Sequence, residues 1–103
     1  MNWKEQLEEK IKNAFHPTVL RLTDDSMAHA NHYERPSETY PSHLKMLVVS
    51  TAFDGLSAVA RQRKMHTVMH EEMVHIHSVS FRLLTPAEFE EKLALYERNN
   101  PKA

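Results

Sequence analysis

Residues 73–84 read MVHIHSVSFRLL, and apolar and polar residues alternate in the second half of this stretch. Apolar side chains occupy every second position from Val79 to Leu83, and the positions between them are polar. This period of two predicts a half-buried β-strand. His77 has the apolar parity and precedes the strand, so we expect its imidazole at the edge of the core face, held in place yet reachable from solvent. His77 is therefore the first candidate for a functional residue.

The composition of the chain is that of one ordinary folded domain. Its 103 residues are 41% hydrophobic and 26% charged, and we expect a single domain spanning residues 1–103. A formal net charge of −1 provides no overall field to attract nucleic acid, so such binding would need a local basic patch. No apolar run has the length of a membrane span, and the first residues do not form a targeting segment, which predicts a cytoplasmic protein without membrane contact.

Cysteine is absent, whereas eight histidines are present. The absence excludes disulfides, a thiol nucleophile and a self-sufficient cysteine-ligated cluster, so soft-metal chemistry must use imidazole or thiolates from a partner. The single glycine, Gly55, excludes a glycine-rich phosphate-binding loop. No carboxylate has metal-ligand spacing from a histidine pair and no nucleophile has a base beside it in the sequence, so we expect no enzymatic activity.

Helix and strand patterns alternate along the rest of the chain. An apolar stripe of helical period covers residues 3–15, and Asn2 with Glu5 predicts a capping box at its start. Strands are predicted at residues 19–22 and 43–50. The polar segment between them predicts a long loop at about residues 25–42.

A second helical region is predicted after Ser57, with Val59 among its apolar positions and Arg61 and Glu72 among the residues facing water. Thr85 is expected to cap the last helix. The order is thus αββαβα. Strands joined by a loop pair antiparallel and strands joined through a helix run parallel, so we expect an α+β fold with a three-stranded mixed sheet and helices on one face.

Four separated segments together resemble the BolA family. They are residues 24–29 (DDSMAH), 42–45 (SHLK), 53–63 (FDGLS through RQR) and 76–80 (IHSVS), and the resemblance covers nearly the whole chain. It implies an αββαβα arrangement of the type II KH-like kind, in agreement with the topology predicted from the patterns.

The resemblance also implies a function in iron–sulfur cluster assembly, trafficking or iron sensing. Such proteins form a heterodimer with a monothiol glutaredoxin and share a [2Fe-2S] cluster, which is held on one side by the glutaredoxin cysteine and glutathione; no cofactor is expected in the isolated protein. His77 matches the family's histidine ligand. The second ligand, in the loop between the first two strands, matches His29, with His32 as an alternative because this loop is longer than is usual in the family.

A second hypothesis is a DNA-binding transcriptional regulator of stress response and morphology, a role that is also implied by the resemblance. A basic patch on the second helix would bind the nucleic acid or dock a partner, and it consists of Arg61, Arg63, Lys64 and His66. The Gly-x-x-Gly clamp of KH domains is missing. We interpret His43, which is out of parity with its strand centre, and His75, on the polar side of Ile76, as structural or surface residues.

Overall fold

The structure, a computed structural model, describes residues 2–25 and 40–99. Its elements are α1 (Trp3–Phe15), β1 (Val19–Asp24), β2 (His43–Val49), a 3-10 helix (Thr51–Phe53), α2 (Ala58–Val68), α3 (His70–Met73), β3 (Ser78–Leu84) and α4 (Pro86–Asn99). The strand order is β1-β2-β3, with β1 antiparallel and β3 parallel to the central β2. The predicted α+β class with a three-stranded mixed sheet is confirmed.

The first helix begins and ends where the sequence predicts. The Asn2 side chain accepts a hydrogen bond from the Glu5 amide at 2.9 Å, and the Glu5 carboxylate accepts one from the Asn2 amide at 3.2 Å, which completes the capping box. The helix ends at His16, whose backbone is left-handed with φ 46°, directly before Pro17. Its buried stripe consists of Trp3, Leu7, Ile11 and Phe15.

The core lies between one face of the sheet and the helices α1 and α2. On that face Leu22, Met46 and Phe81 lie in register across the three strands. Leu7 of α1 and Met65 of α2 are fully buried against this layer. The half-buried strand predicted from the alternation of residues 79–83 is therefore confirmed, with the apolar positions on the core side.

Two expectations about the second helical region are wrong. Val59 is 57% exposed rather than buried, and Glu72 is only 2% exposed although it was expected to face water. The physical reason for Glu72 is a break in helical phase, because α2 ends at Val68 and the short helix α3 turns Glu72 inward. The buried carboxylate accepts a hydrogen bond at 2.8 Å from Lys10 of α1, which compensates its charge.

The last helix, α4, follows β3 directly and buries none of its residues. As predicted, Thr85 and Glu88 form a capping box at its start, with hydrogen bonds of 2.9 and 3.1 Å. Leu95 of α4 lines a cavity with Leu84, which belongs to the face of the sheet opposite the core. Among the helices within residues 2–25 and 40–99, none is long and apolar enough to cross a membrane. The predicted loop lies mostly outside the described residues.

Candidate histidine site at the sheet edge

Two imidazoles meet at the edge of the sheet where the parallel strands begin. His77 is exposed and directly precedes β3, and its ring centroid lies 5.6 Å from that of His43, the first residue of β2. The rings are arranged edge to face, with 67° between their planes. His77 is thus accessible to solvent, as predicted.

The parallel pairing of β2 and β3 brings these side chains together. His43 is the register partner of Ser78, and the Ser78 amide donates to the Ser42 carbonyl at 3.0 Å. The preceding residue, His77, is therefore held beside the start of β2. The Ser42 hydroxyl lies 3.0 Å from Nδ1 of His43, a contact that orients this imidazole.

The end of β1 completes this edge. The Asp25 amide donates to the His43 carbonyl at 2.8 Å, and the Asp25 carboxylate lies 3.8 Å from the Lys45 ammonium. A cavity of about 250 Å³ lies here, and it is lined by Asp25, His43, Leu44, Lys45, Ser78 and Ser80. The predicted loop ligands His29 and His32 lie outside the described residues.

The donor set of the described residues is a half-site, by which we mean two imidazoles without a third ligand. Within residues 2–25 and 40–99, no group of three histidine, aspartate or glutamate side chains is placed to hold a metal ion. Structural zinc sites, which also use imidazole ligands, take four protein ligands. A metal at His77 and His43 would thus need further ligands from outside these residues.

His43 was interpreted from the sequence as a structural or surface residue, and its position beside His77 was not predicted. The useful signal was the predicted parallel pairing, because the first residues of two adjacent parallel strands lie at the same sheet edge. His75 is exposed, as interpreted, and its ring stacks on that of Tyr40 at 4.6 Å.

The predicted basic patch on α2 is divided by the structure. The Arg61 side chain is 12% exposed, in contrast to the expectation that it faces water, because its guanidinium is bound to Glu88 of α4 with hydrogen bonds of 2.6 and 3.1 Å. It also donates to the carbonyls of Leu56 and Leu83 at 3.0 and 2.9 Å. The Arg61 side chain therefore has a structural role and links α2 to β3 and α4.

The ion pair shifts both ionisation equilibria. The hydrogen bonds from Arg61, reinforced by the Thr85 amide, lower the pKa of Glu88 to about 2, and the Glu88 carboxylate raises the pKa of Arg61. The other members of the patch, Arg63, Lys64 and His66, are exposed on α2. The His66 ring lies 5.4 Å from that of Phe81. The patch available to a partner thus has two permanent positive charges.

Comparison with known proteins agrees with this architecture. The family model described as "BolA-like protein" matches residues 11–88. The chain is 33% identical over 90 residues to the "DNA-binding transcriptional regulator BolA" of Haemophilus influenzae, covering 86% of this chain and 82% of that protein. It is 35% identical over 86 residues to "BolA-like protein 1" of Bos taurus, covering 82% of this chain and 60% of that longer protein.

The fold is also that of solved structures. The structure of BolA1 from Arabidopsis thaliana superposes with a TM-score of 0.73 at 30% sequence identity, covering 85% of this chain and 96% of that one. None of these proteins has the name of an enzyme. The sequence match, the order of the elements and the solved relative agree, and the chain belongs to the BolA family.

Proposed function

We propose that this protein shares a [2Fe-2S] cluster with a monothiol glutaredoxin and so takes part in iron–sulfur cluster assembly, trafficking or iron sensing in the cytoplasm. The observation that carries the proposal is the pair of imidazoles at the sheet edge, the exposed His77 and the half-buried His43, in a chain without cysteine. The cluster is cargo that passes between proteins, and the glutaredoxin cysteine and glutathione supply the thiolates.

The chemistry of the donor set fits such a half-site. Iron–sulfur clusters are held by cysteine thiolates, and in one established type two imidazoles replace two thiolates on one of the irons. His77 provides one imidazole. The second comes from His29 or His32 of the loop, or from His43, whose Nδ1 contact with Ser42 leaves Nε2 as the ligand atom.

Exposure of the edge favours transfer over permanent storage. His77 is exposed and directly precedes β3, whose first amide, that of Ser78, is bonded to Ser42, so its backbone is held in place while its side chain remains accessible to a second protein. A cluster bound by imidazoles on one side depends on the partner for its thiolates. We therefore expect the isolated protein to hold no stable cluster.

The test is reconstitution with a monothiol glutaredoxin, glutathione, ferrous iron and sulfide without oxygen, followed by visible circular dichroism. The wild-type protein should convert the spectrum of the glutaredoxin homodimer into a distinct heterodimer spectrum. We expect His77→Ala to abolish this conversion. His70→Ala is the matched control, because His70 is also exposed but belongs to α3.

The second ligand is identified in the same assay with single alanine variants of His29, His32 and His43. The variant that loses the heterodimer spectrum marks the ligand. An unchanged glutaredoxin homodimer spectrum with the wild-type protein would refute the proposal.

Regulation of transcription by DNA binding is the second candidate function. The observation that favours it is the printed name of the Haemophilus influenzae relative, a DNA-binding transcriptional regulator. Arg63 and Lys64 on α2 are exposed and can contact phosphates. A titration of labelled duplex DNA at several salt concentrations tests this candidate, since sequence preference with a steep salt dependence is expected of a regulator.

A further inference from the structure

The face of the sheet opposite the core carries a cluster of cations that neither candidate function uses. Arg21 of β1, Leu47 of β2 and Arg82 of β3 lie in register across the three strands. In the next row Lys45 lies between Thr23 and Ser80. We call these six residues the basic face; together with Met46 they line a shallow cavity of about 310 Å³.

We propose that the basic face binds nucleic acid through its phosphates, without reading the bases. This inference rests on the second candidate function only for the class of ligand, DNA, and it assigns the sequence-independent phosphate contacts to the sheet rather than to α2. It is independent of cluster sharing.

The charges of the basic face are exposed and poorly compensated. Arg21 and Arg82 are exposed, and within the described residues no carboxylate lies at ion-pairing distance from either. Among the residues that the structure describes, the Lys45 ammonium pairs with Asp25 alone, at the long distance of 3.8 Å. This contrasts with α2, where Arg61 is fully engaged by Glu88. The chain is slightly acidic overall, so the local positive potential arises from this arrangement.

The donor geometry suits a phosphate chain. Neighbouring strands are about 4.8 Å apart, so the backbones at Arg21 and Arg82 are separated by about 10 Å. The two guanidinium groups and the Lys45 ammonium provide three cations across this width, one for each of three phosphate contacts. The hydroxyls of Thr23 and Ser80 flank Lys45, and hydroxyl, ammonium and guanidinium groups are the usual phosphate donors.

The composition of the basic face disfavours other ligands. Its one apolar side chain, Leu47, is half-buried, and it has no aromatic residue. Aromatic side chains anchor many protein interfaces and stack the bases where a sheet recognises them, and the basic face has none. A small ligand would need a pocket that encloses most of its surface, which this shallow cavity does not provide.

The experiment is fluorescence anisotropy with the full chain and two labelled 20-bp duplexes of unrelated sequence, between 50 and 200 mM NaCl. Three phosphate contacts predict a slope of about −2.7 in a plot of log affinity against log salt, or an affinity loss of about 40-fold over this range. The variant R21Q/R82Q should reduce the slope to about −0.9. Both duplexes should behave alike.

The matched control is R63Q/K64Q, which removes two exposed positive charges from α2 and so changes the net charge from −1 to −3, as R21Q/R82Q does. We expect it to retain most of the salt slope. Circular dichroism should show that both variants are folded, because all four side chains are exposed.

Each other outcome overturns the inference. If R63Q/K64Q loses the slope and R21Q/R82Q keeps it, DNA binding stands but belongs to α2. If the wild-type protein does not bind either duplex at 50 mM NaCl, the second candidate function fails as well. If poly-glutamate displaces DNA at equal charge concentration, the basic face recognises negative charge in general, as an acidic protein would present it.

Discussion

Replacing Glu88 with glutamine tests the Arg61–Glu88 ion pair that joins the last helix to the rest of the fold. Glu88 receives two hydrogen bonds from Arg61, at 2.6 and 3.1 Å, and one from the Thr85 amide at 2.9 Å. Glutamine has nearly the same shape and keeps one acceptor oxygen, so Glu88→Gln removes the charge and one acceptor while leaving the helix cap in place. Arg61 is then left largely buried with an uncharged partner.

The expected loss of folding stability follows from the lowered pKa of Glu88. Lowering the pKa of Glu88 from 4.5 to about 2 corresponds to about 3 kcal/mol between its two protonation states. The Glu88 side chain is 43% exposed, however, so water screens the interaction and the net contribution falls to about 1.5 kcal/mol. For a domain of this size, such a loss lowers the melting temperature by roughly 6–12 °C.

The assay is thermal unfolding of the wild-type protein and the variant from pH 7 to pH 2. A carboxylate with a depressed pKa stabilises the fold above its unfolded pKa, and this contribution is lost as the pH falls toward about 2. The melting temperatures should therefore differ at pH 7, begin to converge below about pH 4.5 and meet near pH 2. Glu90→Gln, an exposed carboxylate of the same helix, should show little difference. Equal melting temperatures of Glu88→Gln and wild type at pH 7, or curves that stay parallel to pH 2, would refute the reasoning.

Two further predictions concern the core and its edge. Lys10→Met should lower the free energy of unfolding, measured in urea, by about 2 kcal/mol because it leaves the Glu72 charge buried without a partner. Adding Glu72→Leu should recover most of this loss. A double variant no more stable than Lys10→Met alone would contradict the reasoning. The hydrogen bonds to Glu71 and Glu72 raise the pKa of Lys10 to about 12, so its contribution, complete below about pH 10.5, should disappear as the pH rises through about 12. Leu7→Ala, at a fully buried position, should lower the free energy of unfolding by about 3 kcal/mol. Leu93→Ala, at a position that is 45% exposed, should lower it by less than about 1 kcal/mol. Similar losses for the two variants would contradict the assignment of α4 to the outside of the core.

Much of the fold could be predicted because local and global signals agree in it. The stripe of α1 lies between a capping box at Asn2 and the proline at position 17, and the alternation of residues 79–83 has one buried face. The order of elements then leaves one economical sheet, since a strand, a helix and a strand in succession favour a parallel pair. These features need no knowledge of distant contacts.

The missed features all depend on contacts between distant parts of the chain. The buried charge of Glu72, which α3 turns inward, is compensated by Lys10, a residue 62 positions away in the sequence. Arg61 is withdrawn from the surface by Glu88 and by two carbonyls, none of which a helical wheel of α2 can reveal. His43 became a candidate only when the register of two strands was known. The sequence shows which side chains are charged, but it does not show which residues they pair with.

The two proposed binding regions are adjacent on one sheet. Lys45 and Ser80 line both the cavity at the histidine edge and the cavity of the basic face. They come from the central strand and from β3, the same two strands that hold His43 and His77. A glutaredoxin docked at the edge would therefore approach residues of the proposed phosphate site. Because linkage between two sites is reciprocal, any change in DNA affinity caused by the partner must be matched by an equal change in partner affinity caused by DNA. The adjacency of the two proposed regions on the central strand makes a competition experiment between a glutaredoxin and DNA the direct measure of any such linkage.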